Sequence, residues 1–165
     1  MLRPWLPSLI LLLLALVLAG CAAAPFERTE ATAELTPRTA AQAGEEVVGE
    51  PVIWGGRILQ TSHGEAHTEL EVIAYPLDRG QRPRVQRATT GRFLVAYPGF
   101  LETTDYRAGR RVTISGPVSE LREGQVGEQT LTYPVVETED IHLWPLEAAA
   151  QPPRVRLGVG IMLSR

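Results

Sequence analysis

Between about residues 46 and 146 the chain alternates apolar and polar side chains in short runs, and each run stops at a proline or a glycine. That pattern excludes most folds. A period of two places successive side chains on opposite faces of a strand, whereas a helix needs apolar recurrence near 3.6. "HTELEVIAYPL" (67–77) sets Leu70, Val72 and Ala74 against Glu69 and Glu71. "EPVIWGGRILQ" (50–60), "GRFLVAYPG" (91–99) and "RVTISGPVSEL" (111–121) read as three further strands, and "QTLTYPVVETEDIHLWPL" (129–146) as two short ones around Glu137–Asp140. Pro76, Pro98 and Pro145 fall at strand ends, because proline cannot donate to a ladder. Pro117 and Pro134 lie inside runs and mark bulges or edges, and Gly55-Gly56 predicts a bulge or sharp bend. The segment 99–109 has room for one helical turn between the third and fourth strands.

A stretch of ~100 residues is right for a single domain. Five or six short, bent strands are too few for a full two-sheet sandwich. The fold class expected is therefore all-β: a small closed or nearly closed antiparallel barrel, OB-like first and SH3-like second, which leaves few exposed edges.

The N-terminus constrains location. One arginine, Arg3, precedes an almost unbroken apolar run from Leu6 to Leu18. About 13 residues make a helix of roughly 20 Å, short of the ~20 residues that cross a bilayer. With small residues behind it, the run reads as a secretory signal. Leu18-Ala19-Gly20-Cys21 resembles the bacterial lipobox, in which the cysteine thiol receives diacylglycerol and the leader is cut before it. Cys21 is the only cysteine, so an internal disulfide is impossible. Ala22 in place of aspartate points, by the usual sorting rule, to the outer membrane. The expected organisation is a signal peptide over 1–20, the lipidated cysteine and a flexible tether over 21–45, the barrel over 46–146, and a C-terminal extension over 147–165. In that extension, Val155 to Leu163 place an apolar residue at every second position, which predicts an extra strand over 154–163. About 25 flexible residues span roughly 25–30 Å end to end.

The chain has 16 basic and 19 acidic residues. Removing 1–20 takes away Arg3 and no acid, leaving about −4. A nucleic-acid binder would normally be strongly basic, so no nucleic-acid partner is expected.

Several motifs resemble the Slp family, the starvation-inducible outer membrane lipoproteins. They are Gly55-Gly56 with Ile58, "TELEVIAYPLD" (68–78), "GRFLV" (91–95), "GFLETTDYRAGRRVTISGPV" (99–118), "GEQTLTYPVV" (127–136) and "LWP" (143–145). The departures are Glu102-Thr103, where the family tends to have Asp-Pro, and Leu131, where it tends to have an aromatic. The resemblance implies a lipoprotein anchored by its N-terminal lipid in the outer membrane, facing the periplasm, associated with envelope stress and without enzymatic activity. Tyr133 and Trp144 suit a core rim, Trp54 suits the core, and Arg92 suits a carboxylate partner.

Two clusters are candidates for chemistry. "HGEAH" places His63, Glu65 and His67 at alternate positions, but zinc wants three or four ligands and His142 is far along the chain, so a solvated loop is expected and no metal or cofactor. "DRGQRPRVQRATTGR" (78–92) holds Arg79, Arg82, Arg84, Arg87 and Arg92, the first four being the candidate anion contacts. These are either a solvated loop answering Glu120, Glu123 and Glu128, or a contact for anionic headgroups or lipopolysaccharide phosphates. Two functions follow. One is an envelope component that acts by binding other envelope components. The other is a lipid-anchored barrel that binds a small molecule, an oligosaccharide or a lipopolysaccharide component. Exposed aromatics in a strand-face groove would favour the second, and a filled barrel the first.

Overall fold

A computed structural model describes residues 24–28 and 35–146. Cys21 and the segment 154–163 lie outside them. Among the described residues six strands form one sheet: β1 (Pro51–His63), β2 (His67–Ala74), β3 (Gly91–Pro98), β4 (Arg111–Val126), β5 (Gln129–Glu137) and β6 (Ile141–Leu143). Their order is β1-β2-β3-β5-β4-β6, and an added β1–β4 pairing closes the first five into a ring. The all-β, closed, OB-like architecture is therefore present, with β6 as a flap on β4.

The ring is mixed, which corrects the expectation of a wholly antiparallel one. β3 and β5 run parallel, Leu94 opposite Val135 and Ala96 opposite Glu137. Every other pairing is antiparallel. The reason is parity. Strand direction must reverse at each antiparallel step, and a ring of five cannot close on itself without one parallel pair.

The alternation reads out as burial. In β2, Thr68, Leu70, Val72 and Ala74 are buried and the intervening residues half-buried. With Val52, Trp54, Ile58, Phe93, Val95, Val112, Ile114 and Val118 they fill the ring. Trp54 packs edge-on against Phe93 with centroids 5.3 Å apart, and its indole N–H donates to the Leu35 carbonyl at 2.7 Å. A smaller apolar cluster, Leu94, Tyr133 and Val135, lies apart from that core on the other side of β3 and β5.

Gly55-Gly56 serves a different end from the bulge expected there. The register shift lies between Ile58 and Gln60, beyond the glycines. A Cβ on Gly56 would come within 2.0 Å of the Ile73 carbonyl oxygen. Gly56 is where β1 is paired on both sides at once, opposite Ala74 of β2 and Val112 of β4. Pro117 does adjoin a bulge, between Val118 and Glu120, and Pro134 stands just before the β3–β5 ladder begins at Val135. Between β3 and β4 one turn closes where the Tyr106 amide donates to the Glu102 carbonyl at 3.0 Å.

Residues 37–45, placed in the tether by composition, form α1 (Pro37–Ala43) and, with Glu46 and Val47, a 3-10 turn (Gly44–Val47). Thr36 caps α1 reciprocally with Thr39, and Pro37 occupies the first turn, where its missing N–H costs nothing. Seven residues are too few to be helical alone. The helix is held by the ring: Ala40 is fully buried, and the Arg38 amide donates to the Thr90 carbonyl at 2.9 Å. Gly91, at φ 126°, leaves room for this approach, since a Cβ there would meet the Arg38 nitrogen at 2.6 Å.

Candidate functional site

The β2–β3 connection, residues 75–90, folds over the outside of β1 and β4. The Tyr75 amide donates to the Gly55 carbonyl at 3.0 Å, and Leu77 and Pro83 form an isolated bridge. At its centre Gln81 is completely buried and adopts a left-handed backbone, φ 64°, uncommon for a residue with a side chain. Every polar group of this buried amide needs a partner. Its side chain takes the backbone of Phe26 at both ends: the Phe26 N–H donates to Oε1 at 2.9 Å, and Nε2 donates to the Phe26 carbonyl at 2.7 Å. Its own carbonyl accepts from the Thr113 hydroxyl at 2.8 Å. The Arg28 guanidinium adds a bond to the Asp78 carbonyl at 3.1 Å. The N-terminal segment is thus fastened to this loop five residues after Cys21.

The four arginines of the loop divide in two. Arg79, Arg84 and Arg87 are exposed. Arg82 is half-buried, with its guanidinium carbon 5.4 Å from the Trp144 ring centroid, while its amide donates to Asp78 Oδ1 at 2.9 Å. Trp144 donates in turn to the Thr113 hydroxyl at 2.9 Å and accepts from Arg110 at its carbonyl, 3.1 Å away. Arg82 is therefore a structural arginine that stiffens the loop. Glu120, one of the acids expected to answer this loop, pairs with Arg122 instead, at 2.6 Å.

Outside the ring, β2, β3, β4 and β5 carry interlocked charges. Arg92 donates to Glu71 at 2.9 Å, which supplies the carboxylate expected for it, and the Tyr133 hydroxyl donates to the same carboxylate oxygen at 3.3 Å. Burial pulls the Arg92 guanidinium down, but the Glu71 hydrogen bond and charge outweigh it and hold Arg92 above its ordinary range. Burial, reinforced by Glu71, pushes the Tyr133 hydroxyl up, against the pull of Arg92. Arg122 bridges Glu120 and Glu69, whose hydrogen bonds raise it in the same way.

"HGEAH" is the tip of the β1–β2 hairpin, closed by the Gly64 amide on the His67 carbonyl at 2.8 Å, with His63, Glu65 and His67 exposed. His63 is engaged elsewhere: its Nε2 lies 3.0 Å from the Leu101 carbonyl, and its ring stacks on Phe100 at 4.7 Å. His142 lies in β6, opposite Thr113 and edge-on to Trp144 at 4.3 Å, so the three histidines are not brought together. The residues that reasoning from sequence missed are Gln81, Thr113 and Phe26. A polar residue after Gly80 in an arginine-rich loop carries no periodic signal of burial.

The chain is 28% identical over 143 residues to the uncharacterized lipoprotein YeaY of Escherichia coli strain K12, across 85% of this chain and 74% of that protein. It is 29% identical over 99 residues to the outer membrane protein Slp of the same strain, across 60% of this chain and 52% of that protein, so this match spans about half of that relative. Among solved structures, the N-terminal domain of the PriB protein from Thermoanaerobacter tencongensis is similar at 16% identity and TM-score 0.32, covering 58% of this chain and 96% of that one. A family model described as the outer membrane lipoprotein Slp family matches residues 18–159, most of the chain, and the protein belongs to that family of outer membrane lipoproteins.

Proposed function

We propose that the protein is a non-enzymatic envelope component, acylated on Cys21, that holds a rigid five-stranded ring at the periplasmic side of the outer membrane under envelope stress. The observation that carries this reading is the Gln81–Phe26 clamp, which joins the segment just after the cysteine to the β2–β3 loop through both the N–H and the carbonyl of Phe26. A protein meant to range freely from its anchor gains nothing from such a bond, whereas one that works at the membrane surface is positioned by it. The ring interior is packed with side chains, which supports a scaffold over a container. On the outer face of β2 to β5, Glu71 is engaged with Arg92, and Glu69 and Glu120 with Arg122. Diacylglycerol on the Cys21 thiol, with acylation of the amino group freed by cleavage, would give three acyl chains, more than the two signals that stable anchoring needs.

Metabolic labelling with a palmitate analogue tests the anchor. Cys21→Ala is expected to lose all label and to remain in the inner membrane as an unprocessed precursor. Label persisting in the variant overturns the anchor, and label in an inner-membrane fraction of the wild type overturns the placement.

A further inference from the structure

We infer that the β2–β3 loop lies on the anionic phospholipid headgroups of the leaflet that holds the acyl chains, with Arg79, Arg84 and Arg87 as the contacting groups. The inference rests on the Cys21 anchor proposed above and adds an orientation and a lipid chemistry to it. Phe26 stands five positions after Cys21, five Cα–Cα steps along the chain. Even fully extended, they reach no more than about 18 Å. Phe26 is held in turn by Gln81, which lies between Arg79 and Arg84 in the same loop. The face that carries these arginines is therefore kept within a short covalent reach of the lipid surface, whatever path the connecting residues take.

The loop's chemistry suits that place. Arg79, Arg84 and Arg87 are exposed, and among the described residues no carboxylate is within ion-pair distance of them. The acids on the same two segments are Asp78, which accepts from the Arg82 amide, and Glu27, which is exposed. A planar guanidinium binds phosphate bidentately, and is weakly hydrated enough to exchange water for it. A negative lipid surface attracts basic residues only within about a Debye length, ~8–10 Å, so a tether that keeps them near is what makes three arginines effective. The loop is also pre-shaped. Arg82 against Trp144 and the buried Gln81 fix its backbone, so little order is lost on contact. The opposite end of β2 and β3 presents the "HGEAH" hairpin and Glu102 to Asp105, which a negative surface does not attract.

The full-length acylated protein, reconstituted in bilayers containing a spin-labelled lipid, tests this. A dye is placed on Ala88→Cys in the loop or on Thr104→Cys at the far end, both at exposed positions. In bilayers rich in phosphatidylglycerol, the dye at 88 should be quenched several-fold more than the dye at 104. That ratio should fall toward one in pure phosphatidylcholine, and also when Arg79, Arg84 and Arg87 are changed together to Gln. Equal quenching at both positions in phosphatidylglycerol, or a ratio that survives either change, overturns the headgroup contact. The mass of the Cys21 peptide is read on the same samples: absence of acyl mass overturns the anchor itself and the orientation with it. A thermal melt of the triple variant, whose changes are all at exposed positions, should match the parent.

Discussion

Gln81 and Phe26, 55 positions apart, form a reciprocal pair in which one side-chain amide satisfies both backbone groups of the other residue, at 2.9 and 2.7 Å. The amide is buried and its backbone is left-handed, so the bond is built into the loop, not draped over it. Gln81→Ala removes both bonds and leaves the Phe26 groups to find water. A loss of about 1–3 kcal/mol is expected from urea unfolding. Hydrogen exchange at the Phe26 amide should rise sharply while amides in β2 and β3 stay protected. Unchanged exchange at Phe26 would show that the clamp does not hold the segment.

Gly56→Ala should be among the most damaging single-methyl additions in the ring. The new carbon would stand 2.0 Å from the Ile73 carbonyl oxygen, a backbone atom that cannot swing aside. A cost of about 3 kcal/mol or more follows, against about 0.5 kcal/mol or less for Gly80→Ala, whose nearest neighbour is a side-chain oxygen at 3.4 Å. Chemical denaturation of the two variants side by side checks the contrast.

Alkaline stability should report on Tyr106 and Tyr133. Burial, aided by nearby negative charge, raises both hydroxyls above the ordinary value of 10.0. Their neutral forms are thus favoured by the folded state. The stability they contribute is complete below pH ~10 and is lost as pH climbs from there through their raised values. The chain has no lysine, so few other side chains titrate in that range. The melting temperature of the parent should fall above pH ~10, and Tyr106→Phe with Tyr133→Phe should fall less steeply. Parallel pH profiles would contradict the assignment.

His63 and His67, two positions of one hairpin motif, should behave differently. His63→Ala loses the Leu101 carbonyl contact and the stacking on Phe100, a cost of about 0.5–1.5 kcal/mol. His67→Ala, at an exposed position, should stay within about 0.5 kcal/mol. Added zinc is expected to leave the melting temperature of the parent unchanged; a stabilisation lost with both histidines would establish a metal site.

The strands were legible because alternation is a local property. Leu70, Val72 and Ala74 face the core by virtue of period two alone, and the prolines and glycines mark where each run must stop. The apolar run from Leu6 to Leu18 and the lone cysteine behind it are local signals of the same kind, as is the need of Arg92 for an acid. Tertiary structure decided what depends on distant partners. The parallel β3–β5 joint follows from closing five strands into a ring, a count that no single strand carries. α1 is too short to signal itself and exists because the ring accepts Ala40 and the Thr90 carbonyl accepts from Arg38. Gln81 is polar in a polar loop, and only the arrival of Phe26 and Thr113 from far along the chain turns it into a buried fastening, because a buried amide is stable only where its partners happen to meet it.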